Sequence, residues 1–302
     1  MNIAPIIFSK DRTLQLKSLI LSIKENTDLP EKNIYVIYKN ANPEISYDHL
    51  FEAFPEVNFI KQGVFLHDIE NIVKNSGMKY FEFMVDDLIV KEYFSYQFIE
   101  EFLDAHPEIG SFCMRMGKNI NCGKAPEFEE LEIDSPLMEK AVEKGNKTKI
   151  LVWNTAKGLG KHWNYCWDTS SSIYRKELFL EYIPKCRPEK ETFPNPFEDH
   201  FYTCMPTTTP RPSLLVNIVN AIRFAGKEKS MKIACFEKTK CFTQGVNLVA
   251  DIVDPTRETD LHDPVSLHKK MLEGYIIDFK SLKDKYPEQP NAGHQFFKLI
   301  KE

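Results

Sequence analysis

The chain predicts an α/β fold with a mostly parallel sheet, on three observations. Apolar runs of strand length recur through residues 1–90. Segments with helical spacing separate them, the alternation expected of βαβ units. Each run closes on polar or charged residues, which parallel strands would deliver to one edge of the sheet, where ligands bind in folds of this class.

The first run, IAPIIF (residues 3–8), ends in the polar turn SKDR, and Leu14, Leu16, Leu19, Ile20 and Ile23 then recur at mostly helical intervals. Residues 33–38 (NIYVIY) read as a second strand, with the turn KNANPE after it. A short helix over 47–54, a strand over 57–60 and a helix over 65–75 lead into the strand YFEFM at 80–84. Residues 93–106 predict an amphipathic helix, and GSFCMRM (110–116) a strand closing at Gly117, where a missing Cβ would admit a ligand. Residues 117–143, with their acidic runs, read as a loop.

The second half opens on the strand TKILVWN (148–154). WNYCWDTSSSIYRKELF (163–179) passes from an irregular aromatic segment into strand and helix, and FPNPFEDHFYTCM (193–205) is a helix started by its prolines. PTTTPRP (206–212) predicts an extended connector, 214–224 a helix, 232–236 a β-like run, FTQGVN a turn and 265–282 a C-terminal helix.

With 302 residues, 42% hydrophobic and 12% aromatic, the chain is long enough for one large core. A formal net charge of −5 argues against a protein that grips nucleic acid along a whole face. No apolar run approaches the roughly 18–20 residues needed to span a bilayer, and the N-terminus has no cleavable apolar region, so a cytoplasmic protein is expected, with peripheral attachment to a membrane's inner face left open. Seven scattered cysteines without a CxxC pair fit reduced thiols.

The residues that carry chemistry begin with Asp86 and Asp87. They follow a buried-strand pattern, and two like charges at a core edge call for a compensating cation, either a metal or a basic side chain. Glu198 and Asp199 lie early in the proline-started helix, where acids are favoured by the helix dipole even without a catalytic role. Arg115 ends a strand and would bind phosphate, an acceptor carboxylate or a structural partner. Trp163, Tyr165 and Trp167 alternate at strand spacing, which would put them on one face, either as core or as a platform for sugar rings. Asp168 and residues 170–172 are then candidates for hydroxyl recognition. His268, in SLHKKM, and His262 read as surface residues, with no spacing that marks either as a ligand.

Taken together, IIFSKDRTLQLKSLILSI, the VDD of residues 85–87, CMRMG (113–117), WNYCWDTSSSIYR and FEDH (197–200) resemble glycosyltransferases of the GT-A fold, particularly the nucleotide-sugar-dependent family 2-like enzymes. CFTQGVN near Cys241 is a weaker match. The resemblance implies a GT-A, Rossmann-like central sheet flanked by helices. Residues 1–250 would form the glycosyltransferase domain, with a nucleotide-binding half (1–117) and an acceptor half (118–250), and 251–302 a C-terminal helical extension. It implies transfer of a hexose-type sugar from a nucleoside-diphosphate donor, UDP-sugars among them, to a hydroxyl on a glycan, lipid-linked glycan, protein or modified nucleic-acid base. Ser9, Asp11, Arg12 and Asn40 would bind the nucleotide, with Asp86 and Arg115 also on the donor. Asp87 would hold Mn or Mg, Asp86 supporting it and His268 a further ligand. Asp199 would be the base of an inverting reaction, Glu198 second to it, and Trp163, Trp167 and Asp168 would meet the sugar or acceptor.

Three other readings compete. A sugar-phosphate nucleotidyltransferase should carry a glycine-rich phosphate loop after the first strand, and SKDRT has no glycine. A metal-dependent nuclease is disfavoured by the acidic balance and by the lack of a further ligand cluster. A catalytically silent sugar- or nucleotide-binding protein of the same fold would keep the pocket without the chemistry.

Overall fold

A computed structural model describes residues 1–141, 146–155, 162–165, 167–190, 192–204, 231–247 and 263–302. The N-terminal apolar run becomes β1 (Ile3–Lys10), buried along both faces as a central strand must be. It pairs in parallel with β2 (Tyr35–Lys39) and β4 (Tyr80–Val85), and β2 pairs in parallel with β3 (Asn58–Lys61). The crossovers are α1 (Thr13–Asn26), α2 (Asp48–Ala53) and α3 (Phe65–Asn75). This half follows the expected βα alternation.

After β4 a two-residue turn leads into β5 (Leu88–Val90), α4 (Tyr96–Ala105), β6 (Ile109–Cys113), β7 (Glu129–Ile133) and β8 (Thr148–Asn154). Next come β9 (Ser172–Arg175), α5 (Lys176–Tyr182), α6 (Pro194–Cys204), β10 (Lys232–Phe236) and β11 (Cys241–Thr243). The nine-stranded sheet runs β3-β2-β1-β4-β9-β6-β10-β8-β7. β9 enters antiparallel between β4 and β6, β10 is parallel to β6, and β8 and β7 close the far edge antiparallel. The α/β class therefore holds, with the parallel strands gathered where the first half predicted them.

Alternation along β1 splits the core by face. Ile3 and Ile7 join α1 and α4 on one side, while Ala4, Ile6 and Phe8 join α3, α5 and α6 on the other. Phe197 and Phe201 anchor α6 in the second cluster, Phe197 meeting Phe83 edge-on at 5.5 Å. Glu82, on β4 and fully buried, accepts from the hydroxyls of Tyr96 (2.5 Å) and Ser171 (2.7 Å). Burial pushes its carboxyl up to about 8, and these two hydroxyls oppose the shift only in part.

Two readings need correction. The 117–143 loop contains β7, a strand missed because EELEI is an exposed, charged edge with little apolar signal. The helix expected over 265–282 is α7 (Pro264–Leu272), started by Asp263 accepting from the Ser266 amide (2.8 Å). It ends before Gly274, whose φ of +85° turns the chain into β12 (Tyr275–Ile277), paired with β13 (Leu299–Lys301). The connector at 206–212 and the helix at 214–224 lie outside the described residues, and so do residues 251–262 of the 251–302 extension, His262 among them. No helix among the described residues is long and apolar enough to cross a membrane.

Candidate active site

The strand ends meet in one cavity of about 1230 Å³, large enough for two substrates together. One end is built from the close of β1 and the turn after β4. That turn is Asp86 and Asp87, clasped to β1 by the Asp86 amide donating to the Phe8 carbonyl (3.1 Å). Arg12, just before α1, is the cation the acidic pair called for. Its Nη1 donates to Asp86 Oδ1 (3.0 Å) and Asp87 Oδ2 (3.1 Å), and its Nη2 to the Asn247 carbonyl. Asp86 also accepts from the Lys10 amide (3.3 Å). Burial raises the proton affinity of Asp86, Arg12 opposes this, and the neighbouring Asp87 charge adds to it. For Arg12 burial acts against the charge, and the two carboxylates outweigh it. Ser9 lines the same end, its hydroxyl 2.9 Å from that of Tyr47.

The donor set admits a divalent ion only in part. Asp86 is turned to Lys10 and Arg12, whereas Asp87 leaves Oδ1 unengaged among the described residues. No group of three His, Cys, Asp or Glu side chains among them gathers as a metal site. These residues fit a cation held by one carboxylate and completed by substrate phosphates and water, not an all-protein cage.

The other end is built around Asp168 and α6. Arg115, just beyond β6, donates through Nη2 to Asp168 Oδ2 (2.6 Å) and through Nη1 to Asn291 Oδ1 (2.8 Å). Asp168 also accepts from the Ser170 amide (2.8 Å). Glu198 accepts from the Tyr165 hydroxyl (2.8 Å) and from both the amide (2.8 Å) and hydroxyl (2.5 Å) of Thr169. Burial and the charge of Asp168 raise the proton affinity of Glu198. Asp199, one residue on, is exposed at the cavity wall.

The cavity thus gathers Ser9, Arg12, Asp86, Asp87, Arg115, Asp168, Glu198 and Asp199. Five predicted site residues lie elsewhere. Asp11 adopts φ 54° and spends Oδ1 on the amides of Ala41 (2.9 Å) and Asn42 (3.1 Å), so it organises the loop after β2 and does not line the cavity. Asn40 is turned to the Ile45 carbonyl (2.7 Å) in that same loop. Trp163 and Trp167 do not share a face. Both are fully buried, Trp163 against Trp153 and Phe128 and Trp167 stacked at 4.0 Å on Tyr174, so neither offers a ring to a sugar. His268 is buried between α7 and α1, with Nδ1 2.8 Å from the Thr13 hydroxyl and Nε2 facing the Ser46 amide (3.5 Å), which removes it as a metal ligand. Gly117 admits the chain itself. A Cβ there would lie 2.7 Å from the Thr239 amide nitrogen.

Residues the sequence reading missed come from far along the chain. Asn291 ties Arg115 to Thr243, whose hydroxyl donates to Asn291 Oδ1 (2.5 Å), and His294 lines the cavity beside it. The only local signal was CFTQGVN, since a lone asparagine and histidine in NAGHQ carry no spacing rule.

No protein-family model matches the chain. Over 183 residues, 56% of this chain, it is 32% identical to the bifunctional glycosyltransferase pgtA of Dictyostelium discoideum. The chain spans about a quarter of that relative's length, 23%. Among solved structures it is similar to S. aureus TarS 1–349 (TM-score 0.43, 12% identity, 80% of this chain and 60% of that one). It is also similar to a cytidylyltransferase from Leptospira borgpetersenii (TM-score 0.37, 10% identity, 66% of this chain and 71% of that one). Likenesses this loose carry no inference about chemistry. The resemblance read from the motifs thus recurs as shared sequence: over more than half its length the chain is similar to a glycosyltransferase, and its sheet is a mixed nine-stranded one with β3, β2, β1 and β4 parallel.

Proposed function

We propose that the chain transfers a hexose from a nucleoside-diphosphate sugar to a hydroxyl acceptor. The observation that carries this reading is the single cavity, which joins the charged strand ends of β1 and β4 to the carboxylates of α6. Similarity to a glycosyltransferase over 56% of the chain supports it.

In the reaction the acceptor oxygen attacks the anomeric carbon as the bond from that carbon to the diphosphate oxygen breaks. The bonding pair leaves on the diphosphate, and the acceptor proton passes to a carboxylate. Asp199 is the base, because it is the exposed member of its pair at the cavity wall. Glu198, held by three donors, positions α6 against the loop at 165–169. Lys10, Arg12 and Lys39 line the donor end and favour a diphosphate there. When bound, Mn or Mg would neutralise charge developing on the leaving diphosphate, and Asp87 is the residue that would hold it. We place this activity in the cytoplasm.

Titration calorimetry with UDP-, GDP-, CDP- and dTDP-sugars, with and without Mn or Mg, tests this. Binding of one nucleotide class is expected, with metal-enhanced affinity lost in Asp87→Ala. Binding of none would end the proposal. The Arg12 clamp on both carboxylates favours one second reading, a binding protein without turnover, and that reading predicts donor affinity indifferent to metal and no release of nucleoside diphosphate.

A further inference from the structure

Among the described residues other than glycine, Asp11 and Ser171 have a positive φ, 54° and 74°. The left-handed region costs an L-residue free energy, and a short polar side chain stays there when a hydrogen bond holds it. Asp11 is held by its own carboxylate on the amides of Ala41 and Asn42. Ser171 is held from another strand. Its hydroxyl, fully buried, donates to Glu82 Oε1 (2.7 Å) and accepts from the Cys241 thiol (3.2 Å). Its amide donates to the Phe83 carbonyl (2.7 Å), and its carbonyl accepts from the Met114 amide (3.1 Å).

Glu82 is the fixed side of this contact. It sits on β4, between β1 and β9 in the sheet, and its Oε2 takes the Tyr96 hydroxyl from α4 (2.5 Å). Ser171 is the last residue before β9, and the three residues ahead of it are the ones that meet the cavity. Asp168 accepts from Arg115 (2.6 Å) and from the Ser170 amide (2.8 Å), Thr169 donates twice to Glu198, and Ser170 lines the wall. Relaxing φ at Ser171 to the usual value near −60° would swing that chain through roughly 130° about one bond. The grips on Arg115 and Glu198 would not survive such a turn.

We infer that Glu82 and Ser171 are positioning residues: their hydrogen bond, closed beneath the cavity, holds residues 168–170 in the pose that shapes the acceptor end. Both are fully buried and neither lines the cavity, so they act through the backbone and not on a substrate. The assignment of that end to the acceptor rests on the glycosyl-transfer reading, whereas the anchor itself does not.

Two substitutions at one position separate the anchor from the backbone it holds. Ser171→Ala removes the hydroxyl and keeps the left-handed cost, whereas Ser171→Gly removes both. Hydrogen exchange read by mass spectrometry over residues 168–172 is expected to quicken about tenfold in Ser171→Ala and to return most of the way in Ser171→Gly, with the rest of the sheet unchanged. Glu82→Gln keeps an oxygen for Ser171 and should match the wild type. Glu82→Met should match Ser171→Ala, and adding Ser171→Gly to it should restore protection. In turnover with methyl hexosides, Ser171→Ala should raise the acceptor KM about tenfold while the calorimetric Kd of the nucleotide sugar stays within about twofold. Exchange in Ser171→Ala equal to wild type, Ser171→Gly no better than Ser171→Ala, or faster exchange spread over the whole sheet would each overturn the inference. A wild type that binds no nucleotide sugar, or uses no methyl hexoside, counts against the transfer reading and leaves exchange to decide the anchor.

Discussion

Two adjacent acidic pairs, Asp86–Asp87 and Glu198–Asp199, look alike in sequence and are treated oppositely by the fold. The first sits on a two-residue turn after β4, with one guanidinium nitrogen shared between its carboxylates at 3.0 and 3.1 Å. The second sits on α6, where Glu198 takes three donors that are all neutral and Asp199 is exposed to the cavity. At the first pair a buried cation opposes the burial that raises the proton affinity of Asp86 and ties the carboxylates into the framework. An acid solvated by neutral hydroxyls and amides keeps an elevated proton affinity, and its exposed neighbour is placed to exchange a proton. Chemistry at an acidic pair is therefore read from its counter-charge and not from the pair.

The largest effect that would break this comparison is on turnover. Asp199→Asn is expected to lower kcat by about 10²–10⁴, since it removes the proton acceptor. Steady-state rates beside a thermal melt check this, and an unaltered kcat would move the base to Glu198.

Arg12→Met tests the other pair. It leaves the buried Asp86 and the half-buried Asp87 without their cation, and loss of one partner from a buried ion pair costs about 3–5 kcal/mol. Urea titration reads the loss. Asp86→Asn added to Arg12→Met should recover part of it, and no coupling between the two substitutions would mean that Arg12 is not the counter-charge.

Glu82 extends the neutral-partner case to full burial. Its carboxyl is raised from 4.5 to about 8, so the native state keeps a proton that the unfolded chain has released. Stability from this group is complete below pH 4.5 and is lost as pH climbs through about 8, a slope near 1.4 kcal/mol per unit while only the native state is protonated. Glu82→Gln should flatten that falling limb in denaturation curves taken from pH 5 to 8. A slope unchanged by the substitution would show Glu82 ionised in the native protein.

Much of the first half was legible because its signals are local. The buried-strand pattern of Tyr80–Val85, the helical spacing of Phe65–Asn75 and the polar close of β1 each sit within a few residues of chain. Pairwise aromatic spacing misled at Trp163 and Trp167, because alternation specifies one face only if the segment is a strand, and residues 162–164 form a turn. β7 escaped because an exposed edge strand has no apolar face to announce it. Asp11 and Asn40 read as nucleotide contacts because polar residues after a strand look the same whether they face a ligand or fold back on their own loop.

By itself the sequence determined the alternation of strand and helix, the polar strand ends and the demand for a cation beside Asp86 and Asp87, all properties of neighbouring residues and of the periods 2 and 3.6. Only the tertiary structure decided which cation answers. Arg12 lies 74 residues from Asp86, and Asn291 lies 176 from Arg115. Contacts at such separations are set by how β1 and β4 pair and by where the C-terminal chain is tied to β11, and no local pattern encodes them. The acidic pair was legible as a question, and its answer, a guanidinium already in place with one Asp87 oxygen left over among the described residues, required the folded sheet.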